Sequence, residues 1–151
     1  MNSQSLQQPL KPFFTFITLF GLPFFYAPLI VYLLRVTPSL AIRLTIAIVA
    51  IEAICAIIKL VYPKERPVPL PRKTLFQKYE SGGFPSIHTA RIVAVSIVVS
   101  RAYENQAVIF AFALLALCVA YSRIYLKKHD LIDVAGGFVI GTLISLLALA
   151  R

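Results

Sequence analysis

Residues 107–150 read AVIFAFALLALCVAY, then SRIYLKKHD, then LIDVAGGFVIGTLISLLALA: two long apolar runs held apart by a short polar joint. Neither run alternates apolar with polar residues as a barrel strand would; the second has the ~20 residues that a helix needs to cross a bilayer, and the first approaches that length. In lipid every backbone N–H and C=O must be satisfied inside the segment, so runs of this kind fold as helices. The pair therefore sets the fold class, an all-α, polytopic transmembrane helix bundle.

The joint carries the chemistry. Tyr121 to Asp133 holds one of only two histidines in the chain. His129 and Asp133 are four apart, so a helix beginning near His129 stacks them on one face. A carboxylate that takes the proton of one ring nitrogen leaves the other nitrogen free as nucleophile or base. Arg123, before the turn, adds a rigid fork of donors suited to phosphate. Taken alone, the joint reads equally well as an interfacial loop whose cations end two membrane helices.

Composition agrees with the membrane reading. At 59% hydrophobic, 14% charged and mean hydropathy +0.82, 151 residues are too apolar for a soluble domain, and the chain reads as one membrane-embedded domain over residues 1–151. The net charge of +9 sits between apolar runs rather than on a basic, aromatic-studded face. Anionic headgroups or a phosphate substrate are therefore the expected partners, and nucleic acid is not. Cys55 and Cys118 lie inside apolar runs and read as inert packing residues.

In chain order, residues 1–12 are a short polar start without the pattern of a removable signal peptide. The first span is expected over Phe13–Leu34, kinked by Gly21, Pro23 and Pro28, and the second over Leu40–Ile58, with Glu52 inside it. A carboxyl at that depth faces the bundle, either pairing structurally with a cation or taking part in a site. Residues 62–85 form the one long connection, a Pro/Gly-rich interfacial loop in which Arg72–Tyr79 either lies flat as a helix or is plain loop. The remaining spans are expected over His88–Tyr103, Ala107–Tyr121 and Leu131–Ala150. The third is short and carries Arg91, which either reaches the phosphate side or snorkels to the interface. In the fifth, Gly136, Gly137 and Gly141 make a small face for close helix packing. Five spans bring the 59–88 and 122–130 connections to the same membrane face.

Three clusters thus meet there: Lys59 with Arg66-Pro67, Pro85-Ser86-Ile87-His88, and Ser122-Arg123 with His129 and Asp133. This spacing resembles the three-part signature of the type 2 phosphatidic-acid phosphatases, a family of membrane lipid phosphate phosphatases that shares its site with glucose-6-phosphatase and the vanadium haloperoxidases. The resemblance covers roughly residues 59–141. It departs at Ile87, where the usual pattern has glycine; a backbone N–H survives, but the approach of phosphate is altered. Family members commonly have six spans, so the chain looks like a smaller version.

The resemblance implies that His129 attacks phosphorus, Asp133 orients it, and His88 protonates the leaving alcohol and later activates water. Lys59, Arg66, Arg123, Ser86 and the Ile87 backbone would bind phosphate. No metal or other cofactor is implied, and the sequence offers no carboxylate or Cys/His cluster to hold a metal. The substrate expected is a lipid phosphate, a polyprenyl or dolichyl diphosphate ahead of phosphatidate and phosphatidylglycerophosphate. A phosphotransferase, and a non-catalytic lipid-phosphate binder or transporter, stay open beside hydrolysis. Counting Lys and Arg puts the site in the cytoplasm; the resemblance to microbial lipid phosphatases implies the outer face of the cell membrane, which is the reading adopted.

Overall fold

The computed structural model describes residues 9–150; most of the polar start and Arg151 lie outside them. Among the described residues seven α-helices follow one another: α1 (Lys11–Ile17), α2 (Pro23–Val36), α3 (Pro38–Val61), α4 (Leu75–Ser81), α5 (Ile87–Tyr103), α6 (Gln106–Tyr125) and α7 (Leu131–Leu149), with a 3-10 turn at Thr18–Gly21. No strand occurs among the described residues.

Helices α3, α6 and α7 are each long and apolar enough to cross a membrane, and α1 with α2 makes a fourth span if the bent pair is taken as one. The first expected span is thus broken rather than merely kinked. Leu22 is extended (φ −91°, ψ 148°), as the residue before a proline prefers to be, and the chain turns by 49° there before Pro23 opens α2. The other four expected spans all form as helices with ends shifted by a few residues, but α5 is not long and apolar enough to count as a span, so three or four spans stand where five were expected. Helix α5 has 17 residues and is the least apolar of them by sequence, because it is wrapped by protein: it packs against α3, α6, α7 and the 3-10 turn. A helix without a lipid face has no need of a lipid-soluble surface.

Sequence signals set the ends of these helices. Asn105 accepts from the N–H groups of Ala107 and Val108 and starts α6 directly after α5 ends. Thr74 and Gln77 form a capping box that starts α4, so part of the 72–79 stretch is indeed helical. Helix α7 starts with a second box, Asp130 at the cap and Asp133 three residues on. His129 therefore lies outside the helix, not on its face as expected.

Packing around α5 is close. A Cβ on Gly137 would fall 2.4 Å from the Ser86 carbonyl oxygen, and one on Gly141 2.4 Å from that of Ala90, so α7 meets α5 backbone to backbone. An apolar core of Tyr26, Leu33, Leu44, Val95, Val98 and Val119 fills the end remote from the histidines, while Ile51, Cys55, Ile87, Ala90 and Ala94 pack beneath them. Both cysteines are free.

Candidate active site

The three clusters meet at one small polar cavity of about 150 Å³, equivalent to about five waters at ~30 Å³ each. Lys59, Arg66, Arg123, His88 and His129 line it, with the Ile87 end of α5. A larger groove of about 600 Å³ between α3 and α7 is apolar and remote from both histidines. Its one charged residue, Arg43, is used on the last carbonyls of α7, donating to Ala148 and Leu149 at 3.1 and 2.7 Å.

His129 is 2% exposed, and its Nδ1 faces Asp133 Oδ2 at 3.4 Å. Asp133, fully buried, also accepts the Asp130 backbone N–H at 3.1 Å on that oxygen, while its Oδ1 accepts from Lys64 Nζ at 2.7 Å. Lys64 also reaches Asp130 Oδ2 at 2.5 Å. The capping box and the lysine thus lock the carboxylate that faces the imidazole, leaving Nε2 as the ring's free nitrogen. Burial pushes the His129 imidazole down to about 4, against the pull of Asp133 and with the help of Arg123, Arg66 and Lys59, so it is neutral at pH 7. Partial burial works against the charge of Lys64, but its two carboxylates outweigh that and hold its pKa above the ordinary lysine value.

The cations arrive from separate elements. Lys59, in the last turn of α3 and 2% exposed, donates to the Gly82 carbonyl at 2.7 Å and lies 5.7 Å from the Tyr79 ring centre. A Cβ on Gly82 would come within 2.9 Å of the lysine stem, so this glycine serves close approach; no described glycine has positive φ. Arg66 is held by the folded 62–86 connection. There Arg72 donates to the Pro63 and Lys64 carbonyls and to Ser81 Oγ at 2.9, 3.1 and 3.0 Å. Burial lowers the Arg66 pKa from its ordinary value. Arg123 donates through Nη1 to Thr18 Oγ1 at 2.8 Å. Arg66 and Arg123 each keep a buried Nε without a protein partner, hydrogen-bonding capacity that an oxyanion would satisfy.

Arg91, left open between two positions by the sequence, lines the cavity. Its Nε pairs with Glu52, and its Nη1 donates to the Gly21 carbonyl at 3.1 Å. Glu52 is therefore the structural partner of a cavity cation. Ser86 is not among the lining residues. Its N–H donates to the Asp133 carbonyl at 2.9 Å and its hydroxyl accepts from Thr89 at 3.0 Å, so it ties α5 to α7 behind the site.

Sequence reasoning did not mark Tyr79 and Glu80, which line the cavity from α4, nor Lys64 as the partner of Asp133, nor Thr18 and Gly21 as neighbours of the site. The charges of Lys64 and Glu80 were visible, but nothing local tells a site partner from a headgroup contact. Four cations against a single lining carboxylate make a cavity for a multiply charged anion, with a buried neutral imidazole at its wall. Among the described residues no three His, Cys, Asp or Glu side chains come together as a metal site requires.

Comparison with known proteins matches this arrangement. The family model described as PAP2 superfamily matches residues 40–151. Two solved structures share the fold. LpxE of Aquifex aeolicus is 26% identical, with a TM-score of 0.83 over 95% of this chain and 87% of that one. A PAP2-type phosphatidylglycerolphosphate phosphatase from Bacillus subtilis is 24% identical, with a TM-score of 0.76 over 95% of this chain and 76% of that one. No curated protein sequence matches significantly. With the three signature clusters closed around one cavity in a membrane helix bundle, the chain belongs to the PAP2 superfamily, the type 2 phosphatidic-acid phosphatase family that its signature resembles.

Proposed function

We propose that this protein hydrolyses a phosphomonoester or diphosphate of a membrane lipid through a phosphohistidine on His129. The observation that carries the reading is the pairing of a buried His129, fixed through Nδ1 by Asp133, with four cations and a second histidine around one cavity. Mere binding needs the cations but not an oriented nucleophile. Membership of the PAP2 superfamily and the likeness to LpxE support a lipid phosphatase.

In this reading Lys59, Arg66, Arg91 and Arg123 neutralise the phosphate oxygens, helped by the open N–H groups at the start of α5. The lone pair of His129 Nε2 attacks the terminal phosphorus in line, the bond from that phosphorus to the lipid-side oxygen breaks, and protonated His88 gives its proton to the departing group, the alkoxide of a monoester or the lipid phosphate of a diphosphate. Water then attacks phosphorus while His88 takes a proton from it; the P–N bond breaks, and phosphate and free His129 result. Charge neutralisation comes from side chains, so the step needs no metal. The substrate favoured is a polyprenyl or dolichyl diphosphate, since little surface outside the bundle is left to read an elaborate headgroup, with phosphatidate and phosphatidylglycerophosphate behind it. In this reading the site faces outward from the cell membrane, which labelling of engineered cysteines from each side tests.

The activity test is phosphate release by purified protein in detergent with EDTA, on those three lipids, beside His129→Ala. Release that survives EDTA and disappears in the variant is expected, and the ranking of the lipids names the substrate. Equal silence of both proteins on every lipid would overturn hydrolysis in favour of transfer or binding.

A further inference from the structure

The break in the first span lies against the catalytic wall. Gly21 is buried, and a Cβ built on it would stand 2.6, 2.7 and 2.9 Å from Cδ2, Cβ and Cγ of His88. The Cβ of His88 is fixed by the backbone whatever the rotamer, so no turn of the ring clears a methyl there without moving α5 or the turn. From the same turn, Thr18 Oγ1 accepts from Arg123 and the Gly21 carbonyl accepts from Arg91.

These contacts are tied together by backbone groups that the break leaves unpaired. Pro23 has no N–H, and the extended Leu22 ends the turn, so the carbonyls of Phe20 and Gly21 lose their helical partners inside an apolar bundle. The Tyr26 hydroxyl takes that of Phe20 at 2.5 Å, and the cavity arginine takes that of Gly21. The break is thus closed by the site, and the site is held by the break. The matched family model begins at residue 40, beyond this segment.

We infer that the 3-10 turn Thr18–Gly21 is a positioning element of the catalytic site, Gly21 seating the His88 imidazole and Thr18 aiming Arg123 at the phosphate. This rests on the hydrolysis proposed above. A residue that seats the general acid matters most when the leaving group needs a proton. An alkoxide needs one; a nitrophenolate leaves as the anion.

The test uses the full chain in detergent, with a long-chain alkyl phosphate and p-nitrophenyl phosphate as substrates. In Gly21→Ala, kcat on the alkyl ester should fall on the order of a hundredfold, the scale of lost general-acid help, and by roughly tenfold less on the aryl ester. Equal losses on both esters, or none, would overturn the seating of His88. Thr18→Val should raise KM for both esters about tenfold with kcat little changed, and Thr18→Ser should restore it, the scale of one charged hydrogen bond. A Thr18→Ser protein as impaired as Thr18→Val overturns the aiming of Arg123, and this pair decides alone if Gly21→Ala does not fold. If the wild type hydrolyses neither ester nor any lipid, hydrolysis itself falls and takes this inference with it.

Discussion

Helices α3 and α5 pack side by side and were built on opposite rules. Of its 24 residues α3 buries six, and it shows Ile42, Ile46, Val49 and Ile57 to the surroundings. Of its 17 residues α5 buries eleven, among them Arg91, Thr89 and Ser96. Apolarity in this protein therefore reports contact with lipid rather than depth in the membrane. The helix that carries His88 and Arg91 can be polar because its neighbours supply the apolar coat, and lipid gives no hydrophobic drive to hold it there. Close backbone approach to α7, one ion pair to α3, and hydrogen bonds from Ser96 to the Phe112 carbonyl of α6 and from Arg91 to the Gly21 carbonyl help to hold it.

The largest effect should come from cutting that ion pair. Glu52→Ala leaves Arg91, 7% exposed, without its half-buried carboxylate, and should destabilise the bundle by about 1.5–3 kcal/mol in detergent unfolding. A loss below ~1 kcal/mol, the range of exposed pairs, would mean that α5 is not insulated from solvent as described.

The second prediction follows the same insulation to the loop beside α5. His129, held at about 4 against about 6.5 in an unfolded chain, takes up fewer protons folded than unfolded between those values. Stability should then be complete above about pH 6.5 and decline as pH falls through that window toward 4. Imidazole signals followed by NMR in a His88→Gln background should titrate near the lower value; a midpoint near the ordinary one would contradict the burial.

The mildest test sets the two helices directly against each other. Ala94→Leu on α5, where the site has no room, should cost about 1–3 kcal/mol, whereas Val49→Leu on the outer face of α3 should stay within about 0.5 kcal/mol. Equal costs would remove the distinction between the two helices.

The same contrast explains what was legible in the sequence. The lipid-facing helices announced themselves by apolar length, and the Gly137–Gly141 face announced close packing that the structure finds against Ser86 and Ala90. The three motif clusters were readable because their spacing is local and counting spans brought them to one side. The break at Leu22 was visible only as Gly21 and Pro23; that it abuts His88 and Arg123 was not, since those contacts link residues far apart in sequence and hydropathy does not say which helices are neighbours. Lys64 shows the same limit: a lysine in a loop carries no sign that it will fix Asp133. The fifth span was read as starting at Leu131, where the helix does start; the stacking of His129 on Asp133 assumed a start near His129, yet Asp133 still faces His129 because the Asp130 capping box turns it back.

Whether His129 is the nucleophile is decided by trapping the intermediate. His88→Ala protein, slowed in releasing the phosphoryl group, is mixed with a radiolabelled aryl phosphate, quenched in alkali and digested. An alkali-stable, acid-labile label is expected on the peptide that contains His129, and none when His129→Ala is added. A label on any other residue, or no label in a variant that still turns over, would contradict it.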